Sequence, residues 1–165
     1  MIYFSLQRIL NKSPYEILLS EGDFLFQTDN KIRYEISFNK EDIVLGGCET
    51  YQFIIRKLDE VHSAYDPKVK DTILAILNEF FFSNQQILLY ICDTSDGKEN
   101  SRNRLFLQWF EKYSEKGRFT IRTANANIEG EEFYTAIIVE NNNPKYNDII
   151  KDFEETANSL TNKPY

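Results

Sequence analysis

An α/β (α+β) fold, with a mixed and largely antiparallel sheet and helices packed on it, follows from three features of this sequence. IRYEISFN alternates, with Ile32, Tyr34, Ile36 and Phe38 on one side and Arg33, Glu35, Ser37 and Asn39 on the other. That period of two belongs to a half-buried antiparallel strand. Val69, Ile73, Ile76, Leu77, Phe80 and Phe81 recur at the spacing of an amphipathic helix. ILLYIC, residues 87–92, is an apolar run between two helical stretches, as expected of a buried strand in a sheet covered by helices.

Taken along the chain, the order is β-β-β-α-β-α-β-β-α. DFLFQTD places Phe24 and Phe26 on one face of a first strand, and Asp29-Asn30 turns it into IRYEISFN. Gly46-Gly47 breaks the chain before a third strand, TYQFIIRKL. Asp66 is an N-cap and Pro67 fits the first helical position, while Ser83-Asn84 ends that helix. After ILLYIC, the residues Leu105, Phe106, Trp109, Phe110 and Tyr113 form a second apolar stripe, stopped near Gly117 and packed on the sheet. RFTIRTANAN and EEFYTAIIVE are strands around the acidic turn at Glu129-Gly130. Residues 145–162 make the last helix, marked by Ile149, Ile150, Phe153, Ala157 and Leu160.

The 165 residues suit one domain, residues 1–165, with residues 1–12 an extension that carries no assigned element. A 42% hydrophobic and 15% aromatic composition is that of a globular chain with an aromatic-rich core. A net charge of −7 argues against a broad phosphate-neutralising surface, so no nucleic-acid partner is expected. No apolar run has the length of a bilayer span, and the start lacks a basic segment before an apolar block, so no membrane partner is expected and the cytoplasm is the expected location. Two cysteines, Cys48 and Cys92, fit a reducing compartment. His62 is the single histidine, which excludes a His-rich zinc site, and its ordinary role is that of a solvated loop residue.

Two stretches carry a resemblance. VHSAYDPKVKDTILAIL, residues 61–77, looks like the segment where GNAT-type N-acyltransferases leave a central strand and enter the helix that holds coenzyme A. NRLFLQWFEKYSEKGRF, residues 103–119, looks like their later aromatic helix. The sheet is therefore expected to be GNAT-like. Chain-wide, SPYEIL, DPKVKDTI, CDTSDGKENSRNRLF and WF also resemble a family of unknown function from Bacteroidota, over about residues 13–155.

The departures from the acyltransferase pattern matter. That fold binds its cofactor with small residues whose bare N–H groups approach the pyrophosphate at a helix N-terminus. The matching positions here are Val69 and Asp71, Pro67 has no N–H, and Asp66 competes for the remaining donors. The residue matching the family's tyrosine acid is Phe110, and TYQFIIRKL contains no Asp or Glu to act as base. No cofactor is expected at this degenerate loop.

The stretch YICDTSDGKENSRNRLFLQWF holds the best candidate site. Asp93 ends a buried strand with Asp96 three residues later, a carboxylate placement that suits a hard cation such as Mg²⁺. A third acid is missing, so no metal is expected, with Asp93 and Asp96 as the alternative ligands. Equally, Asp93, Asp96 and Gly97 shape a turn, Ser101 caps the next helix, and Arg102 and Arg104 pin the loop by pairing with the acids. Cys92, Asp93, Asp96, Arg102 and Arg104 are thus either a ligand-binding site or a structural link. Gly46-Gly47-Cys48 is a hairpin turn or an exposed thiol that lacks an activating neighbour. Phe80-Phe81-Phe82 cannot all face inward, and one of them marks a surface suited to a partner. The function expected is that of a GNAT-like domain that has lost its cofactor loop and binds a protein or small ligand. The alternative is an active N-acyltransferase with atypical acyl-CoA contacts and acetyl-CoA as cofactor.

Overall fold

The computed structural model describes residues 2–61, 66–93, 108, 110, 112, 117–128 and 130–161. The elements are helix α1 (Leu6–Lys12), strands β1 (Leu18–Ser20), β2 (Asp23–Gln27), β3 (Arg33–Leu45) and β4 (Cys48–Lys57), helix α2 (Pro67–Ser83), strands β5 (Ile87–Asp93), β6 (Phe119–Ile128) and β7 (Glu131–Glu140), and helix α3 (Tyr146–Thr161). The seven strands form one sheet in the order β1-β2-β3-β4-β5-β7-β6. The mixed, largely antiparallel α+β architecture expected from the alternation is present, with β4 and β5 as a parallel pair. Among the described residues no helix is long and apolar enough to cross a membrane.

The chain divides into two compact units, residues 1–39 with 53–85 and residues 40–52 with 86–165. In the first, β1 and β2 form a hairpin closed by Glu21-Gly22, both at positive φ, the backbone that a two-residue turn needs to follow strand twist. Phe24 pairs with Ile36 and Phe26 with Tyr34 in the β2–β3 register, so the alternation read in both strands lands on one face. That face packs on α2: Phe38 stacks on Phe80 at 5.2 Å, and Phe4 lies 4.9 Å from Phe24. Burying such side chains contributes roughly 1.5–3 kcal/mol each. Phe80 and Phe81 are buried, whereas Phe82 is 70% exposed beneath the Arg8 guanidinium, which sits 4.8 Å above its ring.

Residues 1–12, left without an element by periodicity, contain α1. Ser5 caps it, accepting the Arg8 N–H at 3.3 Å, and seven residues offer too few turns for a visible stripe. Arg8 grips the buried Glu79 through two bonds of 2.9 Å, and the carboxylate also accepts the Ser5 N–H and the Ser83 hydroxyl. Asn84, the C-cap of α2, exchanges hydrogen bonds with the Tyr3 backbone in both directions.

In the second unit, Leu45, Ile87, Leu89, Ile137, Val139, Ile149 and Phe153 form the core, which seats the apolar stripe of α3 against β5 and β7. The β3–β4 turn is Gly46-Gly47, with φ of +57 and +80. β3 runs on through KEDIVL, beyond the end expected at Asn39, and β4 begins at Cys48, ahead of the expected Thr50. Turn geometry extends both strands, because a two-residue turn keeps its flanking residues paired.

Candidate functional site

The N-terminus of α2, where the cofactor loop of an acyltransferase is expected, is filled by the protein's own side chains. Asp66 has extended backbone and caps the helix: Oδ1 accepts the Lys68 N–H at 2.9 Å, and its carbonyl accepts the Val69 N–H at 3.1 Å. Pro67 at the first position brings no donor. Val69 is buried and Asp71 exposed. The other carboxylate oxygen of Asp66 accepts a hydrogen bond from the Tyr15 hydroxyl. Tyr15 Oη in turn accepts the Asp29 N–H at 3.3 Å. Lys68 Nζ bonds Asp29 at 3.0 Å and lies 5.6 Å from the centre of the Tyr15 ring. Burial, and then the bond to Asp66, push the Tyr15 phenol up to about 12, so it keeps its proton at neutral pH. Local capping chemistry identified Asp66. It could not identify Tyr15, which lies 51 residues away in sequence.

The other groups that bear on group-transfer chemistry are subdued. Because β4 starts at Cys48, it does carry an acid, Glu49, which corrects the expectation of an acid-free strand. Hydrogen bonds from Lys40 and from the Tyr51 hydroxyl hold Glu49 below the usual carboxylate range, which weakens it as a base. Burial raises the Cys48 thiol, opposed by Lys145, and so works against the thiolate form that a nucleophile needs. Phe110 is 1% exposed and meets Phe119 edge-on at 4.9 Å.

The loop after β5 is only partly described. β5 reaches Asp93 in register with β7, Cys92 opposite Tyr134 and Asp93 opposite Phe133. The side chains of Cys92 and Asp93, and the residues Asp96, Arg102 and Arg104, lie outside the described residues, as do His62, Trp109 and Glu129. Among the described residues no group of three or more His, Cys, Asp or Glu could hold a metal ion.

Two surface grooves were not legible in the sequence. One, of about 430 Å³ in the first unit, is lined by Glu16, Leu18, Leu25, Phe26, Gln27, Arg33 and Leu58. Leu18 is 70% and Leu58 41% exposed on its rim. Arg33 is neutralised there by Asp59, through bonds of 3.1 and 2.8 Å that hold the Asp59 carboxyl down at about 2. The local stretch, ILLSEGD, sets three apolar residues before a turn and does not say which of them stay exposed. The second groove, about 420 Å³ in the other unit, lies between β6 and α3 and is more polar, with Arg122, Asn125, Glu154 and Asn158 among its walls.

The model of a family of unknown function, DUF6169, matches residues 65–155, more than half of the chain, and the chain belongs to that family. No curated protein matches it, and no solved structure does.

Proposed function

We propose that this member of the DUF6169 family is a catalytically degenerate, acyltransferase-like domain that acts by binding a protein or a small ligand. The observation that carries the proposal is the Asp66 carboxylate at the N-terminus of α2. A pyrophosphate bound there would need free N–H donors and a positive field. Instead, Asp66 takes the Lys68 and Val69 donors, Pro67 has none, and the carboxylate places negative charge at the same point.

The position of α2 supports the comparison with the acyltransferase fold. β4 is the fourth of seven strands, its chain continues into α2, and β5 then runs parallel to β4. Such a central strand and helix are where the resemblance places the cofactor. A low-pKa Glu49, a raised Cys48 and an apolar, buried Phe110 support binding over group transfer. The use of only two cysteines supports a cytoplasmic location.

The test is calorimetric titration of the full chain with coenzyme A and with acetyl-CoA. No saturable binding is expected at millimolar cofactor. Micromolar affinity for either would overturn the degenerate site and favour the alternative, an N-acyltransferase with atypical contacts.

A further inference from the structure

The geometry points to the β1 edge and its groove as the docking site for an extended, basic segment of a partner protein, added beside β1 as a further strand. This inference rests on the proposed binding role and names the surface that performs it.

β1 ends the sheet, pairs with β2 alone, and is exposed at all three residues. In an antiparallel ladder every second residue of an outer strand turns its N–H and C=O away from its partner. β1 therefore offers backbone groups to an incoming strand, the arrangement used in strand addition. Side chains of a strand laid there alternate, and one set faces the groove beside Leu18, Leu25 and Leu58. Apolar side chains at those positions would cover the exposed Leu18.

Charge selects the occupant. Glu16 precedes β1, and Glu21 and Asp23 follow it. Among the described residues none of these three acids has an ion-pair partner. Arg33, the cation of the groove wall, is already matched by Asp59. Two copies of this edge would bring acids against acids, whereas lysines or arginines flanking an apolar residue complement Glu16 and Glu21. The net charge of −7 acts in the same direction over longer range.

The test uses a fluorescein-labelled decapeptide of alternating lysine and valine, a glutamate-for-lysine control peptide, and the variant Leu18→Asp. Leu18 is exposed, so the variant is expected to fold, which circular dichroism checks. The lysine peptide should bind saturably, with an affinity that falls as salt rises, and should slow amide exchange at residues 18–20. The control peptide should not bind. Leu18→Asp adds negative charge, so diffuse attraction alone would tighten binding. The proposal instead requires at least about a tenfold loss, equivalent to 1.4 kcal/mol. No binding, or equal or tighter binding to Leu18→Asp, would overturn it, as would a dimer in sedimentation that the same substitution dissolves, because a second copy would then be the occupant. Coenzyme A titration reads α2 independently, so each of the two proposals can fail without the other.

Discussion

Gly46 links the β3–β4 turn to α3, and replacing it with alanine separates backbone strain from packing. Gly46 and Gly47 both have φ in the left-handed region, where an L side chain costs about 1–2 kcal/mol. Only at Gly46 does the added carbon meet anything: it would lie 2.7 Å from the Ile149 backbone nitrogen and 3.0 Å from the Asp148 carbonyl carbon. Those atoms belong to α3, which cannot yield locally as a side chain would. Overpacking of this kind costs roughly 1–3 kcal/mol. Moving the turn away would stretch the 2.6 Å bond from the Gly46 N–H to Asp152. Gly46→Ala is thus expected to lose about 2–5 kcal/mol, the sum of strain and overpacking. Gly47→Ala, with nothing within 4 Å of its added carbon, pays only the strain. The difference, about 1–3 kcal/mol, corresponds to a Tm gap of several degrees at roughly 2–4 °C per kcal/mol for a chain of this size. Thermal unfolding followed by circular dichroism, with urea midpoints as a second measure, reads it. Equal losses for the two variants would refute the close packing of Gly46 on α3.

Two further tests concern ionisable groups held by partly buried hydrogen bonds. The Tyr15 and Tyr51 phenols are pushed up to about 12, by burial first and then by Asp66 and Glu49 respectively. Because the folded state holds these protons more tightly than the unfolded chain, their contribution is complete below about pH 10 and is lost as pH rises from there towards about 12. Absorbance at the phenolate band should therefore show a late-titrating fraction, and Tyr15→Phe should remove part of it; a single ordinary tyrosine transition would refute the Tyr15–Asp66 contact. For Glu79, burial works to raise its pKa, but bonds from Arg8, Ser83 and the Ser5 N–H outweigh it and leave the group lowered. Its contribution is present above the ordinary glutamate range and lost as pH falls through the lowered folded value. Arg8→Met should accordingly lower the Tm most at neutral pH, with the gap from wild type closing as Glu79 becomes protonated. A gap independent of pH would show that Arg8 matters only through its cover of Phe82.

Local chemistry announces itself in sequence and distant partnership does not. Asp66, Pro67 and Asn84 were readable as the ends of α2 because caps act over a few residues. α1 was missed because a seven-residue helix is held by Glu79, 71 residues away, more than by its own periodicity. Glu49 was left out of the third strand because a Gly-Gly turn says where a hairpin reverses, and only pairing decides how far its strands run. Gly46 and Gly47 look alike as letters, yet one touches a helix and the other touches nothing.

The sequence by itself determined the fold class, the inward faces of β2, β3, α2 and α3, and the absence of small residues at the start of α2. Periodicity of two or 3.6 and capping chemistry are short-range properties that survive in a linear string. Only the tertiary structure decided that Tyr15 closes over Asp66, that Arg8 locks Glu79, and that Leu18 stands exposed beside Leu25 and Leu58 at the end of the sheet. The physical reason is that hydrogen bonding, burial and exposure depend on which distant segments share space. Nothing within ILLSEGD says that β1 has a neighbour on one side only; the order of the strands decides that.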